Sequence, residues 1–592
     1  MSKAVVEGYL QGPGPLFASY HAPVGPARDL AWVVCTPIHL DLIQSYRSMR
    51  RLAEELAGAG FHVLRIHYEG TGESIGSTDM DPGRVEAWLE SVRRAVEAMR
   101  GIEGVSGVAI AGVRIGAAFA LDAATRLDVA KLVLWEPSAG AFYAREMEIL
   151  ASSAPQPKKT GAEGGLVAGG FWLSKETLAD LGKLDLEKMV PRGSPETMLV
   201  YRDDRRPSPR LAAHLEKVGC AVTSVQLPGH KEMMVMPQKS AVPSAILAAI
   251  RQWAVARSAV VGPAAAGPAL APSAVAGGLR WTALRFGSAS HLFGVLTEPE
   301  GGSKAHVPPV LLLTGGVTPR TAGNNSYITL AKRLGNNGHG VLRMDVSFIG
   351  ESSTPTGAPG HDTDPFPPSI LDDARAGLER IGATVSPSTK VWIYGLCSGA
   401  YAAFHTAHQS TRTQGAFLVN PERFELGGAS AGSAEAAGAA PPPMAAVDQI
   451  EQMNRYWQVM RDPKAWKKLL SGKADVRYLA NVLRSRAGSM IASATARIGA
   501  KLGRAPKGLA GDFHALVTRG ARVHLVFSEG DPGHAAVLAE IGPRFGELAE
   551  RGLDVKVFPG ADHNFHEMDS RAEMIDWVEQ VIDGARGAGG RA

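Results

Sequence analysis

The chain has 592 residues, 45% hydrophobic and 20% charged; at ~100–200 residues per domain this implies two large domains or several small ones and excludes wholesale disorder. Lys and Arg number 62 against 58 Asp and Glu, a net charge of +4 that excludes a chain built throughout to bind nucleic acid. Three cysteines, Cys35, Cys220 and Cys397, exclude a disulfide scaffold and suit a reducing compartment.

The N-terminal MSKAVVEGYLQGPGP has no apolar core of a secretory signal, and no run of ~18 apolar residues occurs, so a cytoplasmic protein without a transmembrane segment is expected. The first half opens on a hairpin pattern, GYLQGPGPLFASYHAP. Short apolar runs follow: AWVVCTP (31–37), FHVLRIHY (61–68), GVAIAGVRIG (107–116), KLVLWEP (131–137), TMLVYRDD (197–204) and VTSVQLPGH (222–230). YRSMRRLAEELAGAG and RVEAWLESVRRAVEAMR lie between them as amphipathic helices. Residues 256–278, nearly all Ala, Pro, Gly, Val and Ser, have no helical or strand period and read as an unpacked spacer.

The second half repeats the pattern. A hairpin pattern, LRWTALRFGSASHLFGVLTEPE, precedes PPVLLLTGG (308–316), GVLRMDV (340–346), KVWIYGLCSG (390–399), GAFLVNP (415–421), VHLVFSEGD (523–531) and VKVFPGADH (555–563). YITLAKRLGNNG and SILDDARAGLERIGA are its amphipathic stretches. Continuous apolar runs predict strands buried on both faces. Their alternation with helices predicts right-handed crossovers and mostly parallel sheets flanked by helices. Loops repeat too: Arg65 followed by Gly70-Thr71-Gly72-Glu73-Ser74 answers Arg343 followed by Phe348-Ile349-Gly350-Glu351-Ser352. The expected organisation is α/β, with one fold duplicated over 1–255 and 279–592.

Chemistry concentrates in the second half. Gly395-Leu396-Cys397-Ser398-Gly399 joins a buried strand to a helix pattern, AYAAFHTAHQ, as in a nucleophile elbow. A helix N-terminus behind the thiol is expected to lower its pKa. Asp531 and His563 each follow a strand, in the order nucleophile, acid, histidine. His563 would take the thiol proton, and Asp531 would fix the imidazole. Glu529 is the nearby alternative acid, Ser398 the off-centre alternative nucleophile, and His566 a neighbour without an assigned role. The oxyanion hole would use the backbone N–H of Ser398 and one from Gly316 or Val317.

On these residues the chain resembles a tandem pair of α/β-hydrolase domains. Its second half is similar to members with cysteine in the elbow, such as dienelactone hydrolases, which implies Cys397, Asp531 and His563 as a triad. Its first half resembles the exosortase-associated and serine-aminopeptidase-like hydrolases. The segments that carry this are Leu134-Trp135-Glu136-Pro137, Tyr143-Ala144-Arg145-Glu146 and Tyr201-Arg202-Asp203-Asp204-Arg205-Arg206-Pro207. That half departs from the pattern at its elbow, Gly112-Val113-Arg114-Ile115-Gly116. A guanidinium cannot attack a carbonyl. Asp203 or Asp204 and His230 fill the other two slots, so a vestigial site is expected, with Arg114 either paired to Asp204 or binding a carboxylate or phosphate.

An insertion at about 425–515 begins with GGASAGSAEAAGAAPPPM. From Arg455 to Lys507 it carries thirteen Lys and Arg against Asp462 and Asp475. It reads as a basic helical lid attracting anions within ~8 Å at physiological salt, such as coenzyme A phosphates or an acidic acyl carrier protein. No nucleic-acid reading motif accompanies the charge. His361-Asp362-Thr363-Asp364 lies in a Pro-bounded loop without a second ligand set at zinc spacing, so neither metal nor cofactor is expected. The function expected is acyl hydrolysis or transfer on an ester, thioester or lactone. The alternatives are a degenerate binding or scaffolding protein for an anionic partner, with Cys397 merely a buried small side chain, and a dienelactone-type lactone hydrolase.

Overall fold

Eight strands form the first sheet: β1 (Val5–Leu10), β2 (Leu16–His21), β3 (Leu30–Cys35), β4 (His62–Ile66), β5 (Gly107–Val113), β6 (Lys131–Trp135), β7 (Glu196–Arg202) and β8 (Val222–Leu227). The computed structural model that places them describes residues 5–153, 164–304, 306–353, 362–385, 389–425 and 508–588. The strand order is 1-2-4-3-5-6-7-8. Strands β1 and β2 pair antiparallel, β2 runs antiparallel to β4, and all other pairs are parallel.

The second sheet takes the same order behind one added edge strand. Its members are β9 (Ser273–Ala276), β10 (Leu279–Phe286), β11 (Leu292–Pro299), β12 (Val310–Leu313), β13 (Val341–Asp345), β14 (Val391–Leu396), β15 (Thr413–Val419), β16 (Arg522–Ser528) and β17 (Leu553–Phe558). They lie in the order 9-10-11-13-12-14-15-16-17. Each half thus has the α/β-hydrolase fold. The basic insertion lies outside the described residues except at its margins, where Leu509–Thr518 is helical.

Continuous apolar strands follow from having helices on both sheet faces. In β3, Trp32 and Val34 pack with Leu52 and Leu56 of the helix His39–Gly58. Ala31, Val33 and Cys35 face the opposite layer with Trp88 and Val92 of the helix Arg84–Arg100. The second half repeats this: Val310 and Leu312 join Leu330 and Leu334 on one face, and Leu311 and Leu313 join Leu378 and Ile381 on the other.

The segment 256–278 departs from its reading as an unpacked spacer. Val260–Gly262 pairs antiparallel with Ala27–Arg28, Ala271 exchanges backbone hydrogen bonds of 2.8 and 3.0 Å with Tyr9, and β9 extends the second sheet. Edge strands carry unpaired backbone groups that any extended chain can satisfy. Such pairing needs no side-chain period, so composition does not reveal it.

The repeated loops meet across the two halves. Arg343 donates two hydrogen bonds of 2.7 Å to the Glu73 carboxylate, and Arg65 donates two of 2.6 Å to Glu351. The Phe17 N–H donates to the Ser74 hydroxyl and the Phe293 N–H to the Ser352 hydroxyl, both at 2.8 Å. The two phenyl rings meet at 5.9 Å between centroids. Each cross-half ion pair is repeated between the counterparts of its two residues, the reciprocal pattern of a two-fold interface between identical subunits. Arg320, which the repeat does not duplicate, stacks on Phe293 at 4.3 Å and pairs with Glu73 and Asp345. The three buried guanidinium groups therefore face three buried carboxylates.

Candidate active site

The buried strand β14 leads into Cys397, which takes φ 56° and ψ −117° at the turn. The helix Ser398–Gln409 begins at the next residue. Glycine is required on either side. A Cβ at Gly395 would fall 2.0 Å from the Gly399 carbonyl oxygen, and one at Gly399 would fall 2.5 Å from that of Leu313. The first half builds the same turn around Arg114, at φ 55° and ψ −123°.

Asp531 and His563 come from the loops that follow β16 and β17. His563 Nδ1 lies 2.9 Å from Asp531 Oδ2, and the other carboxylate oxygen accepts the Gly533 N–H at 2.9 Å. Glu529 instead accepts the Gly560 N–H, and His566 pairs with Asp562. The His563 Nε2 is buried without a hydrogen-bond partner. It faces Glu422 Oε1 at 3.7 Å. The Cys397 sulfur, a Glu422 carboxylate oxygen and a His563 ring nitrogen lie within 4.8 Å of one another.

Two residues near the site escape the motif reading. Glu422 lies just past β15, where a charged residue reads as surface. Asn420, at φ 43°, is fully buried. Its amide donates to the His563 carbonyl at 2.7 Å while its carbonyl oxygen accepts the Ser528 N–H at 2.8 Å, tying the ends of β15 and β16 to the histidine loop. The repeat offers one clue: Asn420-Pro421 answers Glu136-Pro137, and Glu136 also has positive φ, 41°.

The electrostatics differ from the expectation of a lowered thiol pKa. Burial pushes the Cys397 thiol well above its ordinary range, and the charges of Glu422 and Asp531 push the same way against the Ser398 N–H. A helix N-terminus is outweighed when the sulfur is buried beside a carboxylate. For His563, burial opposes the charged form, but the hydrogen bond and charge of Asp531, with Glu422 and Asp562, raise its pKa above 6.5. The surroundings of Cys397 favour the thiol over the thiolate.

The expected oxyanion donors divide. The Ser398 N–H faces the sulfur. The Gly316 N–H donates to the Ser398 hydroxyl at 2.8 Å and is therefore already engaged. Val317 follows in the same loop with its side chain buried. Gly316 has φ +62°, and a Cβ there would lie 2.9 Å from Gln238 Nε2 of the first half, so the first half abuts this loop.

The vestigial site differs from the predicted pairing. Arg114 donates to Asp41 at 3.1 Å and to Glu146 at 2.7 Å, both from helices remote in sequence. Asp204 pairs with Arg202, and Asp203 is exposed. His230 is buried against Trp135, its pKa pushed down to about 3 by burial and then by Arg114. A cavity of 270 Å³ opens between the halves beside Asp79, Trp281, Lys332 and Arg571, away from Cys397. The sequence cluster at His361 lies partly outside the described residues.

No protein-family model matches the sequence, and no curated protein matches it. Among solved structures the chain is similar to Est1E from Butyrivibrio proteoclasticus, at 16% identity and a TM-score of 0.32, over 42% of this chain and 97% of that one. It is similar to an α/β serine hydrolase homologue from Coxiella burnetii, at 19% identity and a TM-score of 0.28, over 43% and 97%. It is also similar to a dienelactone hydrolase from Anabaena variabilis, at 12% identity and a TM-score of 0.28, over 51% and 96%.

Proposed function

We propose that the second half is a cysteine-dependent acyl hydrolase or acyltransferase acting on an ester, thioester or lactone. One observation carries this reading. The His563 imidazole is anchored to Asp531 at 2.9 Å, and its other nitrogen is unpartnered beside the thiol of a positive-φ elbow. The His563 Nε2 takes the Cys397 proton as the sulfur attacks the acyl carbonyl. The Ser398 N–H, with the Val317 N–H of the opposite loop, stabilises the tetrahedral oxyanion. Protonated His563 then gives its proton to the departing alcohol or thiol, leaving an acyl-cysteine. Water or an acceptor hydroxyl or amine, deprotonated in turn by His563, releases the acyl group and restores the thiol.

In the first half, Arg114 is satisfied by Asp41 and Glu146, which supports a supporting role without nucleophilic chemistry. An acyl group on coenzyme A or an acyl carrier protein is the substrate class that the basic stretch favours, although that stretch lies outside the described residues. No described helix is long and apolar enough to cross a membrane. The test is turnover of a panel of acyl thioesters, esters and small anionic lactones. Cys397→Ala and His563→Gln are each expected to lose about a thousandfold or more. Unchanged rates in Cys397→Ala contradict the reading.

A further inference from the structure

The same pocket carries the donors of a metal site. Among the described residues, Cys397, Glu422 and His563 form the one group of His, Cys and acidic side chains close enough to share an ion. Their donor atoms lie within 4.8 Å of one another. Ligands at ~2.0–2.3 Å from a tetrahedral zinc stand ~3.3–3.7 Å apart, and the His563 Nε2 to Glu422 Oε1 distance is already 3.7 Å.

Two further observations point the same way. The His563 Nε2 is buried with no hydrogen-bond partner, so its lone pair is open to a metal ion. Its Nδ1 is fixed by Asp531 at 2.9 Å. Zinc-bound histidines characteristically give their second ring nitrogen to a carboxylate in this way, which sets tautomer and orientation. The donor set itself is selective. One thiolate, one imidazole and one carboxylate suit Zn²⁺, which accepts three protein ligands and keeps a fourth position for water. A hard ion such as Mg²⁺ has no use for the sulfur.

We propose that Cys397, Glu422 and His563 bind one Zn²⁺, with Asp531 behind the imidazole, and that bound zinc switches off the acyl chemistry. The inhibitory part rests on the proposed function; the binding part does not. On binding, hydrated Zn²⁺ sheds water, the thiol proton passes to solvent, and the new thiolate and the Glu422 carboxylate offset the two positive charges. The nucleophile and its base are then both tied to metal.

The experiment takes the full chain, stripped with chelator and dialysed against micromolar zinc chloride, and counts bound metal. One zinc per chain is expected, lost in Cys397→Ala and held about 10-fold or more weakly in Glu422→Gln and Asp531→Asn. In the wild-type chain, Co²⁺ should give a thiolate-to-cobalt charge-transfer band and the visible spectrum of a four-coordinate ion, a readout that needs no variant to fold. Equal zinc uptake by wild type and Cys397→Ala, or a cobalt spectrum without the thiolate band, overturns the site. Zinc bound as described while acyl turnover persists overturns the inhibition. Turnover in the zinc-free chain is measured separately, so either reading can fail alone.

Discussion

Replacing Glu351 with alanine removes the acceptor of Arg65 and of the Tyr46 hydroxyl in a region where Arg65 is 4% and Glu351 1% exposed. Breaking a buried ion pair from one side typically costs about 3–5 kcal/mol, because the remaining charge is left without a partner or water. Removing both charges at once leaves no charge stranded and only the Tyr46 hydroxyl without its acceptor, so the Arg65→Met, Glu351→Ala double variant should be far milder than the sum of the single changes. We expect a coupling of about 2–3 kcal/mol from equilibrium urea unfolding followed by tryptophan fluorescence, with unchanged denaturant slopes across the four proteins. The reciprocal pattern adds a check. Glu73→Ala strands Arg343 and takes one of its two carboxylates from Arg320, which keeps Asp345, and should cost at least as much as Glu351→Ala. A cost below about 1 kcal/mol for Glu351→Ala, or simple additivity in the cycle, would refute the view that these crossed pairs hold the halves together.

Five buried histidines of the first half, His62 among them, should make it acid-labile. Burial first, with neighbouring guanidinium groups, lowers His21, His39 and His230 to about 3 and His67 to about 4, from 6.5. The unfolded chain binds more protons below 6.5, so stability is full above that pH and falls as pH drops toward the folded values, by up to about 1.4 kcal/mol per pH unit for each group. Urea midpoints that stay flat from about pH 7 to about pH 4.5 contradict this. Glu422→Gln removes a charge that raises both the thiol and the imidazole. Iodoacetamide should label Cys397 faster in that variant at neutral pH, and the acid limb of kcat/KM, expected above pH 6.5 in the wild type, should move down; an unmoved limb contradicts the charge assignment. Gly316→Ala places a Cβ against Gln238 at positive φ, a strain of about 1–2 kcal/mol. It should lower kcat through the oxyanion loop, whereas wild-type kcat would show that the loop needs no such fit.

Much of this architecture is written in short-range pattern. Runs such as Val310–Leu313 and Val523–Val526 are apolar without alternation because helices cover both faces, so their strand character is legible. The elbow is legible because Gly395 and Gly399 flank the nucleophile position at fixed spacing, Gly395 forced by the turn itself and Gly399 by the neighbouring strand end at Leu313. Asp531 and His563 are legible because their strands end just before them. What escapes the sequence is long-range. Arg114 finds Asp41 and Glu146 rather than Asp204, since a buried cation takes whichever carboxylates the fold delivers. The Arg65, Glu73, Arg343 and Glu351 repeat is visible, but crossing between halves is a property of their docking, not of spacing. Glu422 reads as an ordinary surface charge until β15 carries it beside the thiol, and there it adds to the burial that reverses the expected direction of the Cys397 shift.

The central claim is that Cys397 becomes acylated with His563 as its base. It is tested most directly by intact-mass and peptide mapping of the zinc-free chain after brief exposure to activated acyl thioesters. The account predicts one acyl group per chain, located on Cys397, absent in Cys397→Ala and slow to form in His563→Gln. Acyl mass on another residue, or equal labelling of wild type and Cys397→Ala, would contradict it.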